Sequence, residues 1–253
     1  MILGMQMYGP IAAKGTMEMR ELLKGLKEIG IGRIEPCISL DGKSGAPTFW
    51  QPEQCEEYFA MASELGLEVI SAHVSAVSYE ESMQALCELA DKYGVKQFVV
   101  GTGGLSEAEI ETTAGVYGKM ADALAEHGAE VLIHNGKPDI AAKVNGKSAY
   151  EYLVDICNGK VAMQFDTGWA ARGGEIPEEF IKRNAARIKS LHYKDFNMNI
   201  DTDVDTCIGD GTLNNAMYKQ FALEAEIPQF IDADTYADVL ADAKKSYDYV
   251  MSI

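Results

Sequence analysis

Histidine is scarce in this chain of 253 residues, with only four, and tryptophan is scarcer, with two. Cations are also short: 22 Lys and Arg stand against 39 Asp and Glu, a formal charge of −17 at pH 7. A surface so poor in Lys and Arg is not built to grip nucleic-acid phosphates or an anionic membrane. Charge alone does not exclude an anionic small substrate, because one pocket can be locally positive on an acidic protein. The cysteines, Cys37, Cys55, Cys87, Cys157 and Cys207, are odd in number and widely spaced, without a C-x-x-C. That pattern excludes a disulfide framework and a zinc ribbon. No apolar run approaches the roughly 18 residues needed to span a bilayer. Met1–Tyr8 lacks the basic flank and cleavage site of a secretory leader and reads directly as a strand. The expected setting is a reducing cytoplasm.

What is present is a chain 47% hydrophobic and 24% charged, rich enough in apolar residues to build a large core. Short apolar segments alternate with amphipathic ones without a break. Strands are expected at Ile2–Tyr8, Arg33–Ile38, Leu67–His73, Gln97–Gly101, Glu130–His134, Val161–Asp166, Ile188–His192 and Pro228–Asp232. The intervening segments predict helices over Thr16–Ile29, Pro52–Leu65, Tyr79–Tyr93, Ser106–His127, Ser148–Cys157, Pro177–Asn184, Asn214–Glu226 and Thr235–Val250. Pro52 suits a first helical position, Gly30 a C-terminal stop, and Ser106 with Glu109 a capping box. Dividing the chain by eight gives about 32 residues per unit, the size of a βα repeat with right-handed crossovers. No linker interrupts the repeat, so one (β/α)8 barrel domain over residues 1–253 is expected. A doubly wound open sheet is the competing architecture. It would usually carry a Gly-rich phosphate loop after the first strand, and Tyr8-Gly-Pro-Ile-Ala-Ala-Lys-Gly15 is not one.

In such a barrel the active site forms at the C-terminal ends of the strands. Three of the four histidines, His73, His134 and His192, close expected strands, as do Asp166 and Asp232. Glu35 lies within the second strand. Any one of these alone is more often a loop-ordering hydrogen-bond partner than a catalyst. Five strands delivering imidazoles and carboxylates to one rim is a donor set that suits a divalent metal. Without a metal, the same groups could form an organic acid–base site. Lys194, two residues after His192, falls on the same side of its strand. Asp201-Thr-Asp-Val-Asp205 lacks the Gly and Glu that a calcium loop needs, and Gly101-Thr-Gly-Gly104 lacks a neighbouring cation for a phosphate site. Both read as ordinary loops.

Gln164-Phe-Asp-Thr-Gly-Trp169 followed by Leu191-His-Tyr-Lys-Asp-Phe196 resembles the sugar phosphate isomerase/epimerase family, the xylose-isomerase-like TIM barrels. In that family one strand ends in D-T-G-[HW] and the next in H-x-K-D. Cys207-Ile-Gly-Asp-Gly211 resembles its V-G-x-G turn, Phe230-Ile-Asp-Ala-Asp234 its closing E-x-D strand, and Leu132-Ile-His-Asn-Gly136 a variant of its E-N-H motif. The likeness extends, through strand order, over essentially the whole chain.

The resemblance implies one divalent ion (Mn, Zn, Co or Mg) held by His134, Asp166, His192 and Asp232. It also implies an isomerase or epimerase of a sugar, keto-sugar or polyol, working by proton transfer through a metal-stabilised enediolate. Asp232, His134 and Lys194 are the implied catalytic groups; Glu35, His73, Trp169 and Lys194 are the implied substrate contacts, with Phe196 beside Trp169 as an apolar wall. Two departures matter: His134 and Asp232 stand where most members carry Glu, so a two-glutamate epimerisation does not carry over unchanged. A keto-sugar lyase or dehydratase on the same site and a non-catalytic sugar-binding barrel therefore stay open. The endonuclease IV proteins share this architecture, but they need more His and Glu ligands and a basic DNA-facing surface. The expected partner is a small carbohydrate, not nucleic acid or membrane, and a homo-oligomer is left open.

Overall fold

The computed structural model describes residues 1–253. Its barrel strands are Leu3–Gln6, Arg33–Glu35 continuing as Cys37–Ser39, Ser71–Ser75, Gln97–Val100, Glu130–His134, Val161–Asp166, Ile188–Tyr193 and Gln229–Ile231. Every pairing between them is parallel. The second strand is broken by Pro36, which has no N–H to give to a ladder. Its first half pairs with the first strand and its second half with the third. The break is therefore the seam at which the sheet becomes a nearly closed barrel. Ile34 N donates to the Glu68 carbonyl and His73 N to the Pro36 carbonyl, both at 2.9 Å, across that seam.

The outer ring consists of helices Met19–Ile29, Pro52–Glu64, Met83–Tyr93, Glu107–Ala125, Ala149–Ile156, Pro177–Asn184, Asn215–Glu224 and Val239–Ser252. Their ends follow the local chemistry. Ser106 accepts from Glu109 N in a capping box, Pro52 occupies the first turn, and Gly30 stops its helix in the left-handed region at φ 118°. The first of these helices starts at Met19 behind Glu18, not at Thr16, and the last starts behind Asp238, later than Thr235. Three short helices on the mouth loops, Tyr8–Ala13, Lys137–Ala141 and Thr167–Arg172, escaped the periodicity reading because each is a turn or two long. The third strand is displaced towards the mouth relative to Leu67–His73, so His73 lies inside it and Val74 and Ser75 follow.

Alternation along each strand divides the molecule into two environments. Leu3, Met5, Met163, Phe165, Leu191 and Tyr193 join a cluster of 55 buried apolar residues shared with the helices. Each fully buried Leu, Phe or Met there contributes on the order of 1.5–3 kcal/mol. Their strand neighbours Gly4, Gln6, Gln164, Asp166, Ser190 and His192 take the other parity, so they face the barrel interior. Phe230 fills the interior floor, and a Cβ at Gly4 would come within 2.3 Å of its ring. Above that ring the interior is polar, and the site begins there.

Candidate active site at the barrel mouth

The register sets the height of each side chain: Asp166 is level with His192, and His134 with Gln164. Two donor sets have their ligand-capable atoms all within 4.8 Å of one another: His73, His134 and His192, and His134, Asp166, His192 and Asp232. The second contains the four residues that the sequence motifs single out. Above it opens a cavity of about 250 Å³. His73, His134, Trp169 and Asp232 line it together with Gln6, Tyr8, Cys37, Phe49 and Asp234.

Beneath the cavity a hydrogen-bond network fixes which nitrogen of each histidine carries a proton. Glu35 is fully buried and accepts from Ser71 Oγ at 2.5 Å, Gln164 Nε2 at 2.7 Å and His192 Nε2 at 2.6 Å. Because Glu35 pins the amide nitrogen of Gln164, the amide oxygen is left for the other two imidazoles. It accepts from His73 Nε2 at 2.8 Å and from His134 Nδ1 at 3.1 Å. His134 therefore keeps its lone pair on Nε2. Burial, then repulsion from His192 and His73, holds His134 well below the usual imidazole range, so it is neutral at pH 7.

His192 is the opposite case. Its Nδ1 faces Asp232 Oδ2 at 3.1 Å, and its Nε2 faces Glu35. Two acceptor-only carboxylates require two N–H donors, which is an imidazolium. Burial alone would lower its pKa, but the Glu35 and Asp232 charges push it up to about 10. Asp232 and Glu35 are held on the ionised side in return; for both, burial works against ionisation and is outweighed by neighbouring positive charge, Lys194 and His192 for Asp232 and chiefly His192 for Glu35.

Asp166 is the unbalanced member. Its Oδ1 caps the short helix Thr167–Arg172 by accepting from Trp169 N at 2.6 Å, and Asn135 braces its backbone from both sides. Its Oδ2 is buried and has no hydrogen-bond partner. Burial, offset only in part by Lys194, raises its pKa well above the carboxylate range. A buried carboxylate oxygen left unpaired costs roughly 1–3 kcal/mol or more, and such an orphan calls for an explanation. Gly168 belongs to the same turn: a Cβ there would lie 2.7 Å from the Lys194 carbonyl oxygen, so the D-T-G-W motif requires glycine.

Lys194 is fully buried beneath the cavity wall, not in it. Its Nζ lies 2.7 Å from Asp234, 3.3 Å from Asp232 and 3.7 Å from Asp205, and 5.3 Å from the centre of the Trp169 ring. Of the implied substrate contacts, His73 and Trp169 reach the cavity, while Glu35 and Lys194 are enclosed behind it. Phe196 is buried behind Trp169, at 5.1 Å between ring centres, so it backs the wall without forming it. Gln164, Asp234 and Asp205 fall within the quoted segments but receive no site role from the sequence, yet two of them had a signal. Gln164 precedes Asp166 by two residues and Asp234 follows Asp232 by two, so each shares a face with a singled-out residue. Asp205, far along a loop, had none.

A sequence model described as xylose isomerase-like TIM barrel matches residues 23–247. The chain belongs to that family. No curated protein matches it. Among solved structures, a sugar phosphate isomerase/epimerase from Parabacteroides distasonis is 19% identical over 98% of this chain and 92% of its own, with a TM-score of 0.81. A 3-keto-D-glucoside 4-epimerase from E. coli is 14% identical over 100% of both chains, with a TM-score of 0.69. A xylose isomerase-like TIM barrel protein from Mycobacterium smegmatis in complex with magnesium is 16% identical over 92% of this chain and 87% of its own, with a TM-score of 0.67. At these identities the xylose isomerase-like fold is what the three share with this chain.

Proposed function

We propose that this xylose isomerase-like barrel is a divalent-metal-dependent isomerase or epimerase of a sugar, keto-sugar or polyol. The unpaired Oδ2 of Asp166, on a residue that shares a donor set with His134, His192 and Asp232, carries the reading. The residues fit such an ion on three counts. His134 has a free lone pair at Nε2, Asp166 has a free oxygen, and Asp232 is ionised. His192 would offer the nitrogen it now shares with Asp232, while Glu35 keeps the other N–H and fixes the ring. A dication there would supply Lewis acidity that makes the C–H beside a substrate carbonyl easier to ionise.

The chain's own groups do the rest. Trp169 and Phe49 give the cavity aromatic faces against which the apolar side of a sugar ring can lie. Asp232 and His134, from the eighth and fifth strands, both line the cavity; Asp232 is the candidate proton carrier, and His134 carries a proton only where its Nε2 lone pair is not given to the ion. Lys194 holds positive charge behind Asp232 and Asp234, stabilising negative charge that develops in the cavity. The test is exchange of the substrate's α-hydrogen with D2O across ketoses, inososes and 3-keto-glycosides, with and without Mn2+. Absence of bound metal in the purified protein, and no thermal shift on adding any divalent ion, would refute the proposal.

One observation favours a lyase as the second reading. Both oxygens of Asp232 are engaged, by Lys194 and His192, and the one lone pair of His134 is given to the ion, so two free bases on opposite faces of the substrate are not available. Elimination needs one base where epimerisation needs two. Loss of water from the substrate, without recovery of an epimer, would select it.

A further inference from the structure

We propose that the substrate is an uncharged polyhydroxylated carbonyl compound of about one sugar ring, and that the site rejects sugar phosphates. This deepens the isomerase reading and rests on it. The cavity lining offers hydroxyl-matching groups in Gln6, Tyr8, His73 and Asp234, and it holds two carboxylates, Asp232 and Asp234, with no Lys or Arg among its residues. The two cations beneath it, His192 and Lys194, are fully buried and already matched, His192 by Glu35 and Asp232 and Lys194 by Asp205, Asp232 and Asp234.

The other cations on the mouth loops are committed elsewhere. Lys14 donates to the Met17 carbonyl, Lys143 to the Ile140 carbonyl, and Lys137 to both oxygens of Asp203. Lys147 pairs with Asp155, and Arg172 lies over Phe196 while donating to the Asn197 and Ile200 carbonyls. Lys43 lies in a separate depression with Asp41, Glu81 and Glu88. Phosphate recognition needs charged or backbone donors turned towards the ligand. A dication on His134, Asp166, His192 and Asp232 would cancel those two aspartates only. Glu35 and the carboxylate in excess around Lys194 would still leave the mouth negative. The cavity, about 250 Å³, falls just below the roughly 300–1,000 Å³ of sites for drug-sized ligands, which suits one ring.

Two measurements test this. The Mn2+-supplemented protein is given matched ketoses and their terminal phosphates in D2O, and α-hydrogen exchange is followed by NMR. Exchange should favour the free sugars by about 100-fold or more in kcat/KM, the order expected for one like-charge juxtaposition. Equal or faster exchange with the phosphates overturns the inference and leaves the isomerase reading intact. Calorimetric titration with a hexitol and its 6-phosphate needs no turnover. Tighter binding of the free hexitol supports the inference even if no exchange occurs and the isomerase reading falls. Tighter binding of the phosphate overturns it. In Asp234→Asn, where Lys194 is less fully neutralised, the preference for the uncharged ligand should shrink by about tenfold; an unchanged preference would remove Asp234 from the explanation and overturn the charge argument.

Discussion

Replacing Asp166 by Asn should stabilise the metal-free protein and abolish its response to metal. Asn keeps the oxygen that caps Thr167–Arg172, since Asn and Asp cap helices about equally well, and the Asn135 brace bonds only to backbone. What disappears is a buried carboxyl with one orphaned oxygen, whose ionisation burial and the neighbouring Asp232 oppose. Removing that penalty is worth about 1–3 kcal/mol. At about 2–4 °C per kcal/mol for a chain of this size, the melting temperature at pH 7 should rise by roughly 2–12 °C. The pH dependence has a definite sign. Asp166 has a folded-state pKa raised above its usual 3.8, so its contribution is fully present below that value and is lost as pH rises through the folded pKa. The advantage of the variant should therefore shrink in acid. With Mn2+ at a thousand times its Kd the order reverses, because wild type gains about 4.1 kcal/mol and the variant gains nothing. Melting curves of chelator-treated protein, recorded with and without Mn2+ at pH 5 and pH 7.5, read out every part of this. A metal-free variant less stable than wild type, or one that Mn2+ still stabilises, would refute the role given to the orphaned oxygen.

Three further outcomes are expected. Glu35→Gln puts an amide opposite His192 Nε2, so calorimetry should find Mn2+ affinity lower by about 10–100-fold, with the four ligands unchanged. Lys194→Ala should keep Mn2+ bound but slow α-hydrogen exchange, and it should cost about 3–5 kcal/mol in urea unfolding at pH 7 by leaving three carboxylates under-compensated. Gly168→Ala forces a methyl against the Lys194 carbonyl and should cost about 1–3 kcal/mol, whereas a surface glycine such as Gly115, with open space around its Cβ, should tolerate Ala.

The barrel was legible because a parallel strand covered on both faces must be apolar and short, and eight such runs recur at even spacing. The rim was legible for a related reason: a polar residue that ends an apolar run must be doing something other than packing. Strand boundaries were less so. Pro36 splits a run that reads as continuous from Arg33 to Ile38, and the third strand begins only at Ser71, with Glu68 before it bonded across the seam to Gly32 and Ile34. The interior network was the least visible part. Gln164 sits in the middle of a strand, where its amide looks like a tolerated polar residue. Only the closing of the barrel brings Glu35, 129 positions away, to its nitrogen. Likewise, no local pattern indicates that Asp205 receives Asp234 N at 2.6 Å and so fastens the long loop after the seventh strand to the end of the eighth.

The seam at Pro36 has a bearing on how the molecule assembles. Its two half-strands are the only ladder partners that join the first strand to the third, so the ring cannot close until residues 33–39 and 71–75 meet. The first strand must also wait for Gln229–Ile231, the last of the strands to be synthesised. Half of the barrel can form during translation as an open parallel sheet, while its other edge stays unsealed until the C-terminus arrives. Loss of the final helix and strand should therefore leave a chain with two exposed sheet edges and a template for self-association, and not a smaller enzyme.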